Sequence, residues 1–157
     1  GVSGYSGLMT FELLLNHPQV RVTYASSHNT KGRLDEIWPR LKGKTNLVCE
    51  RFKLDKALKL GDLFFLALPH GASMGIVPKL LKAQKRVIDL SADYRLKNAL
   101  DYKEWYDLKH TDAGHLSRAI YGLPELYRSD IKKANLVAQE LQTRLHQWQF
   151  DQFVTTV

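Results

Sequence analysis

Cysteine occurs once in this sequence, at Cys49, and the five prolines and ten glycines are thinly spread. A single thiol excludes an intrachain disulfide and a multi-cysteine zinc site, and it suits a reducing compartment such as the cytoplasm. No apolar run approaches the roughly 18 residues that a membrane span requires, because Lys, Arg, Asp or Glu interrupts each candidate. A basic stretch followed by an apolar one is also missing from the first residues, so no secretory leader is expected. What the 157 residues do hold is an ordinary globular balance, 44% hydrophobic and 25% charged, enough for one domain with a real core. Lysine and arginine exceed aspartate and glutamate by 23 to 16, a net charge of +7 that favours anionic partners. The basic residues are scattered, and no RNP-like or helix-turn-helix pattern accompanies them. That argues against nucleic acid as the partner.

The chain opens with glycines at i, i+3 and i+6, Gly1, Gly4 and Gly7, directly before the helix-forming run Leu8–Asn16. Asn16-His17-Pro18 stops that run, since proline disfavours helical geometry in the residue before it. Val20–Ala25 alternates and is β-branched, which predicts a strand. Residues 27 to 46 are polar and predict a long loop with at most a short helix. Asp62–Leu68 is a continuous apolar run ended by Pro69-His70-Gly71, as expected of a strand buried on both faces. Ala72–Gln84 has helical spacing in which Pro78 must kink the helix or start a turn of it, Arg86–Ser91 predicts another buried strand, and Asp101–Tyr106 a short helix. Asn135–Ala138 predicts a last strand. Strand, helix and strand in alternation define an α/β, Rossmann-like doubly wound and mostly parallel sheet, whose first strand would lie upstream of Gly1.

Glycines before a helix bring backbone amides close to a pyrophosphate, where the helix N-terminus adds partial positive charge. The G-x-x-G-x-x-G spacing departs from the commonest dinucleotide fingerprint, and an ordinary surface turn would hold the same glycines. An NAD-preferring fold places Asp or Glu about 20 residues after the loop. Here Ala25-Ser26-Ser27-His28-Asn29-Thr30-Lys31-Gly32-Arg33 has no carboxylate, several hydroxyls and two cations. That favours NADP, whose 2′-phosphate a carboxylate would repel. A solvated polar loop is the competing reading for Lys31 and Arg33.

Leu68-Pro69-His70-Gly71, Ile88-Asp89-Leu90-Ser91-Ala92-Asp93-Tyr94-Arg95-Leu96 and Tyr121-Gly122-Leu123-Pro124-Glu125-Leu126 follow the glycine loop in order. Together they resemble the N-acetyl-gamma-glutamyl-phosphate reductases of arginine biosynthesis, from Gly1 to Ala138. The resemblance implies a pyrophosphate loop of Gly1, Ser3, Gly4, Tyr5, Ser6 and Gly7. It implies Ser26 and Ser27 at the adenosine 2′-phosphate, and Pro69, His70 and Ser91 near the nicotinamide. Read on their own, His70 suits a turn with a satisfied ring, Asp93 and Arg95 an ion pair, and Tyr121–Glu125 a packing turn. The family reduces a small-molecule acyl phosphate to an aldehyde through a cysteine thioester and hydride from NADPH, and it assembles as homo-oligomers through a second domain. No role for nucleic acid or membrane is implied.

The likeness ends after Ala138, where the family continues with an Asn-Pro-Gly-Cys-Tyr-Pro segment bearing the nucleophile. Here Gln139-Glu140-Leu141-Gln142 stands instead, and residues 139–157 hold five glutamines. Residues 1–138 are therefore read as the NADP-binding domain and 139–157 as a divergent tail. An out-of-frame segment and an amphipathic terminal helix (Leu141, Leu145, Trp148) both fit that tail. Cys49, beside Glu50 and without an adjacent histidine, is expected to be a packed structural thiol, so no catalytic residue is assigned. A non-catalytic NADP(H)-binding module and the related acyl-phosphate reductase of lysine biosynthesis stand as alternatives. Aspartate-semialdehyde dehydrogenase is more distant, given the Ser-Ala-Asp-Tyr-Arg-Leu segment.

Overall fold

A computed structural model describes residues 1–139, within which the chain forms two compact units, one ending at Gly61 and the other beginning at Asp62. The proposed tail beyond Gln139, with its helical and out-of-frame readings, lies outside the described residues. The α/β fold expected from the alternation of patterns is present: parallel strands joined through helices. Among the described residues the pairings form two sheets, one in each unit.

In the first unit, α1 (Tyr5–Leu15) starts at Gly4 and closes on Asn16, whose amide reaches the carbonyls of Leu13 and Leu14. Its Leu, Met and Glu residues favour helix, and Pro18 prevents continuation. β1 (Ala25–Ser26) is parallel to β3 (Val48–Glu50), with Ala25 opposite Cys49 and Ser26 opposite Glu50. β2 (Gly32–Arg33) runs antiparallel on the other side of β3, and α2 (Leu34–Ile37) follows it at once. A 3₁₀ turn at Pro39–Leu41 precedes β3, and α3 (Leu54–Leu60) ends the unit. The core joins Val2, Leu8 and Phe11 to Ala25, Leu34, Leu41 and Cys49.

Two expectations change here. The strand predicted over Val20–Ala25 contracts to Ala25–Ser26, because only this pair meets β3 in register. Thr23 and Tyr24 instead use side chains, Thr23 Oγ1 donating to the Leu60 carbonyl and the Tyr24 hydroxyl to that of Arg51. The segment 27–46, expected to be a long loop with at most a short helix, contains that helix as α2 and, beyond the expectation, β2 and the 3₁₀ turn, held by burial of Leu34 and Leu41 with no accessible surface.

The second unit is built on a parallel sheet in the order β4-β5-β7-β6. β4 (Leu63–Leu66) leads through a 3₁₀ turn at Ser73–Gly75 into α4 (Val77–Lys82), where Pro78 occupies the first helical turn and interrupts nothing. β5 (Arg86–Asp89) lies beside β4, then α5 (Asp101–Tyr106) and α6 (Ala113–Leu116) precede β6 (Ile120–Tyr121). α7 (Pro124–Lys133) returns the chain to β7 (Leu136–Ala138), which sits between β5 and β6. β4 is less enclosed than its apolar run predicted. Phe64 and Leu66 are buried, while Leu63 and Phe65 are half-buried against Ile88, Ile131 and Val137. No helix among the described residues is long and apolar enough to cross a membrane.

Ile131 anchors α7 to this sheet at 2% exposure. Ile131→Ala should cost about 2–5 kcal/mol in urea unfolding, the usual range for emptying such a site. A loss below 1 kcal/mol would mean that α7 does not seal the core.

Candidate functional site

The opening loop is held from one side by a main-chain bond, Val2 N–H to the Ser26 carbonyl at 2.9 Å. The Ser3 and Ser27 hydroxyls meet at 2.6 Å, tying the loop to the carboxyl end of β1. Ser27 Oγ also accepts the amides of Asn29 and Thr30, so this hydroxyl fixes the turn after the strand. Ser26 is half-buried, Ser27 buried, and Ser3, Gly4 and Tyr5 are exposed.

The three glycines differ in what they do. A Cβ on Gly7 would stand 2.0 Å from the Gly1 carbonyl oxygen and 3.2 Å from Val2 Cα, so Gly7 lets α1 lie directly on the incoming chain. A Cβ on Gly4 would find its nearest neighbour at 3.8 Å, which is ordinary contact. Protein packing therefore requires Gly7 and leaves Gly4 free for close approach by something else. The first intrahelical bond is Leu8 N–H to the Gly4 carbonyl, and no side chain caps the helix. Among the described residues the amides of Tyr5, Ser6 and Gly7 meet no acceptor. No acidic residue occupies the first turn. Open amides, an uncapped helix start and the space at Gly4 fit the phosphates of a dinucleotide.

Beyond β1 the two cations separate. Arg33 is engaged by Asp35, at 3.1 and 2.8 Å, and by Glu36 at 3.2 Å. Its guanidinium holds the Asp35 carboxyl below the usual range. Lys31 is exposed and makes no ion pair among the described residues. Glu50, at the end of β3, is taken up by Lys56 and Lys53. Cys49 has no accessible surface, donates to the Thr30 carbonyl at 3.4 Å, and has its thiol pushed up by burial. It is the packed thiol that its neighbours predicted.

In the second unit the register aligns the carboxyl ends of all four strands. Pro69 and His70, both exposed, follow β4; Ser91 and Asp93 follow β5; Gly122 follows β6. Ligands of open α/β sheets bind at this end. Ser91 is buried and its hydroxyl is committed, donating to Asp89 Oδ2 at 2.7 Å and accepting the Asp93 amide at 3.1 Å. Asp89, with no accessible surface, also accepts the Ser73 hydroxyl at 2.8 Å and the Ser91 amide at 3.1 Å. Burial raises its carboxyl above the ordinary range, against the pull of these donors.

The ion pair considered for Asp93 and Arg95 is not formed. Arg95 donates to the carbonyls of Gln139 and Leu90, while Asp93 accepts the amides of Gly71 and Ser73. Tyr121–Glu125 is a packing turn, with Gly122 N–H bonded to the Ala138 carbonyl and Pro124 starting α7. A Cβ on Gly122 would stand 2.9 Å from Gln139 Cα, so that approach needs glycine. The sequence reading missed a further cluster. The Tyr94 hydroxyl donates to Asp112 Oδ2 at 2.7 Å, and His115 Nδ1 meets Asp112 Oδ1 at 2.7 Å. Burial and then the Asp112 bond raise the Tyr94 phenol, so it stays protonated. A groove of about 740 Å³ opens against Asn135 and Leu136, at the start of β7, and none of the candidate residues line it.

A glycine loop opening a helix, with polar turns at the carboxyl ends of parallel strands, defines a nucleotide-binding α/β domain. The family model of the semialdehyde dehydrogenase NAD-binding domain matches residues 1–134, and the chain belongs to that family. It is 50% identical over 139 residues to an N-acetyl-gamma-glutamyl-phosphate reductase of Desulfotalea psychrophila, covering 88% of this chain and 40% of that protein. A Synechocystis reductase of the same name is 41% identical over 138 residues, or 87% of this chain and 39% of the relative. A putative [LysW]-L-2-aminoadipate/[LysW]-L-glutamate phosphate reductase of Nitrosopumilus maritimus is 42% identical, with 88% and 40% covered. The chain thus spans about two fifths of the length of the curated relatives it matches. Aspartate semialdehyde dehydrogenase II of Vibrio cholerae shares the fold at a TM-score of 0.53 and 15% identity, over 88% of this chain and 39% of that one.

Gly4→Ala should leave thermal unfolding within about 0.5 kcal/mol of the natural chain, whereas Gly7→Ala should cost about 1–3 kcal/mol through overpacking. Equal losses would show that the loop is not divided between packing and approach. Asp89 supplies a pH test. With its folded pKa above the ordinary 3.8, it binds its proton more tightly in the folded state. The stability of the natural chain relative to Asp89→Asn should be fully present below about pH 4 and fall as pH rises through the folded pKa. A relative stability that rises with pH would reverse the assignment.

Proposed function

We propose that residues 1–138 form the NADP-binding part of an N-acetyl-gamma-glutamyl-phosphate reductase. That enzyme reduces the acyl phosphate to N-acetylglutamate semialdehyde in arginine biosynthesis, in the cytoplasm. The observation that carries the reading is the uncapped start of α1, with three amides that lack acceptors among the described residues beside a glycine that packing does not require. Gly1, Ser3, Gly4, Tyr5, Ser6 and Gly7 would hold the diphosphate. Ser26, with Ser27 fixing the turn, would receive the 2′-phosphate. Lys31, without a carboxylate partner among the described residues, is the better placed of the two cations by charge, since Arg33 is neutralised by Asp35 and Glu36. Absence of a carboxylate from 25 to 33 supports NADP over NAD. In the second unit, Pro69 and His70 would meet the nicotinamide end, with Ser91 acting through Asp89 and Asp93 because its hydroxyl is already bonded twice.

The cofactor, when bound, supplies hydride. This chain's own residues bind and orient it, and among them Cys49 is not placed to serve as nucleophile, being buried with its thiol raised by burial. That burial favours the second reading, a module that binds NADP(H) without turnover of its own. The aminoadipyl phosphate reductase activity named for one relative is the third. All three share the cofactor site.

Fluorescence titration of the 157-residue chain should show NADPH binding at least about tenfold tighter than NADH, the scale of one well-placed charge contact near a protein surface. Ser26→Asp should abolish that preference by placing a carboxylate against the 2′-phosphate. Equal affinities in the natural chain would contradict the proposal. Phosphate-dependent reduction of NADP with N-acetylglutamate semialdehyde should be undetectable, and measurable turnover would contradict the structural role of Cys49.

A further inference from the structure

The segment Ser91-Ala92-Asp93-Tyr94-Arg95-Leu96 contributes one bonded hydroxyl to the proposed cofactor site, yet most of its polar atoms are engaged and several of them point back toward the turn after β4. We propose that Asp93 is a positioning residue whose carboxylate clamps the Pro69–Ser73 turn and thereby sets His70, resting on the reading above that His70 meets the nicotinamide end. Asp93 Oδ1 accepts Gly71 N–H at 2.7 Å and Oδ2 accepts Ser73 N–H at 3.0 Å. Both oxygens are thus committed to amides two residues apart, immediately after His70. Gly71 has φ +86°, a left-handed conformation that costs glycine little and that directs its amide inward.

The clamp is itself immobilised. Asp93 is 1% exposed, its amide donates to Ser91 Oγ, and its carbonyl accepts from His110 Nε2 at 2.6 Å. His110 Nδ1 accepts the Asp112 amide at 3.2 Å, so the proton sits on Nε2 and the direction of that bond is fixed. Among the described residues no cation pairs with Asp93, and Arg95 is turned to the Leu90 and Gln139 carbonyls. What satisfies the buried carboxyl group is therefore directional hydrogen bonding, chiefly from the turn it holds.

A second support reaches His70 from the same segment. Its ring lies 5.5 Å from that of Tyr106, and Tyr106 stacks on Tyr102 at 5.7 Å. The Tyr102 hydroxyl donates to the Ala92 carbonyl at 3.1 Å and accepts the Leu96 amide at 2.9 Å. Burial pushes this phenol up to about 12, so the donor persists at every physiological pH. Clamp and stack are both fastened to residues 92–96, which makes the orientation of His70 a property of that motif.

Three variants of the full chain test this by NMR and by NADPH titration: Asp93→Asn, which keeps volume but loses one acceptor, Tyr106→Leu and His70→Ala. In Asp93→Asn the Gly71 and Ser73 amides should exchange with solvent about ten- to a hundredfold faster, while those of Val87 and Ile88 stay unchanged. The nuclear Overhauser contact between His70 and Tyr106 should vanish, and the Kd for NADPH should rise severalfold. Retention of that contact and of the natural Kd in Asp93→Asn would overturn the proposal. Should Asp93→Asn not fold, the natural chain decides: the Gly71 and Ser73 amides must exchange far more slowly than the exposed Lys97 and Asn98 amides, and equal rates would overturn it. The Tyr106→Leu variant should lose the ring contact but keep the slow amides, since the clamp is independent of it; fast amides would overturn the clamp. If His70→Ala binds NADPH normally while Asp93→Asn frees the turn, the clamp stands and only the nicotinamide reading of His70 fails.

Discussion

A helix that begins without a cap leaves amide donors with no carbonyl to meet, and the first unit is organised around that deficit. Tyr5, Ser6 and Gly7 present such donors, and neither a side-chain oxygen nor a first-turn carboxylate answers them among the described residues. Each unsatisfied donor is worth on the order of 1–3 kcal/mol if kept from water. A diphosphate satisfies several at once and meets the positive end of the helix dipole. Gly7 makes the arrangement possible by letting α1 rest on Gly1 and Val2. The Ser3–Ser27 contact then fixes the loop against the end of β1.

The second unit uses negative rather than positive charge to organise its loops. Asp89 and Asp93 are both buried and collect hydroxyl and amide donors from two successive strand ends. Desolvation of two nearby carboxylates is expensive, and it is offset by five donors, two to Asp93 and three to Asp89, only because Ser73, Ser91 and Gly71 are held in place. Rigid turns at the carboxyl ends of β4 and β5 follow. Catalytic or binding groups placed on such turns inherit their precision from the strands.

Much of this was legible from residue order. The apolar runs located β4, β5 and β7, and Asp101–Tyr106 matched α5 residue for residue, whereas Pro78 fitted a kink or a helix start until the structure placed it in the first turn of α4. β2 and β6, two residues each, are too short to show a period, and β3 was hidden because Val48-Cys49-Glu50 alternates over three residues only. α7 carried signals that went unread: Pro124 at the first turn, Glu125 beside it and Lys132 and Lys133 at the end, all complementary to the helix dipole. The burial of Cys49 was foreseeable from its neighbours, Glu50 beside it and no adjacent histidine. The bonds that commit Ser91, separate Asp93 from Arg95 and neutralise Arg33 are tertiary or rotameric, and composition does not encode them.

The decisive measurement is a titration of the isotopically labelled chain with NADPH, followed through backbone amide resonances. Large, saturable shifts at Tyr5, Ser6 and Gly7, matched in affinity by smaller ones at Ser26 and Ser27, are the predicted result. Saturation elsewhere in the chain with those three amides unmoved would contradict the account at its base.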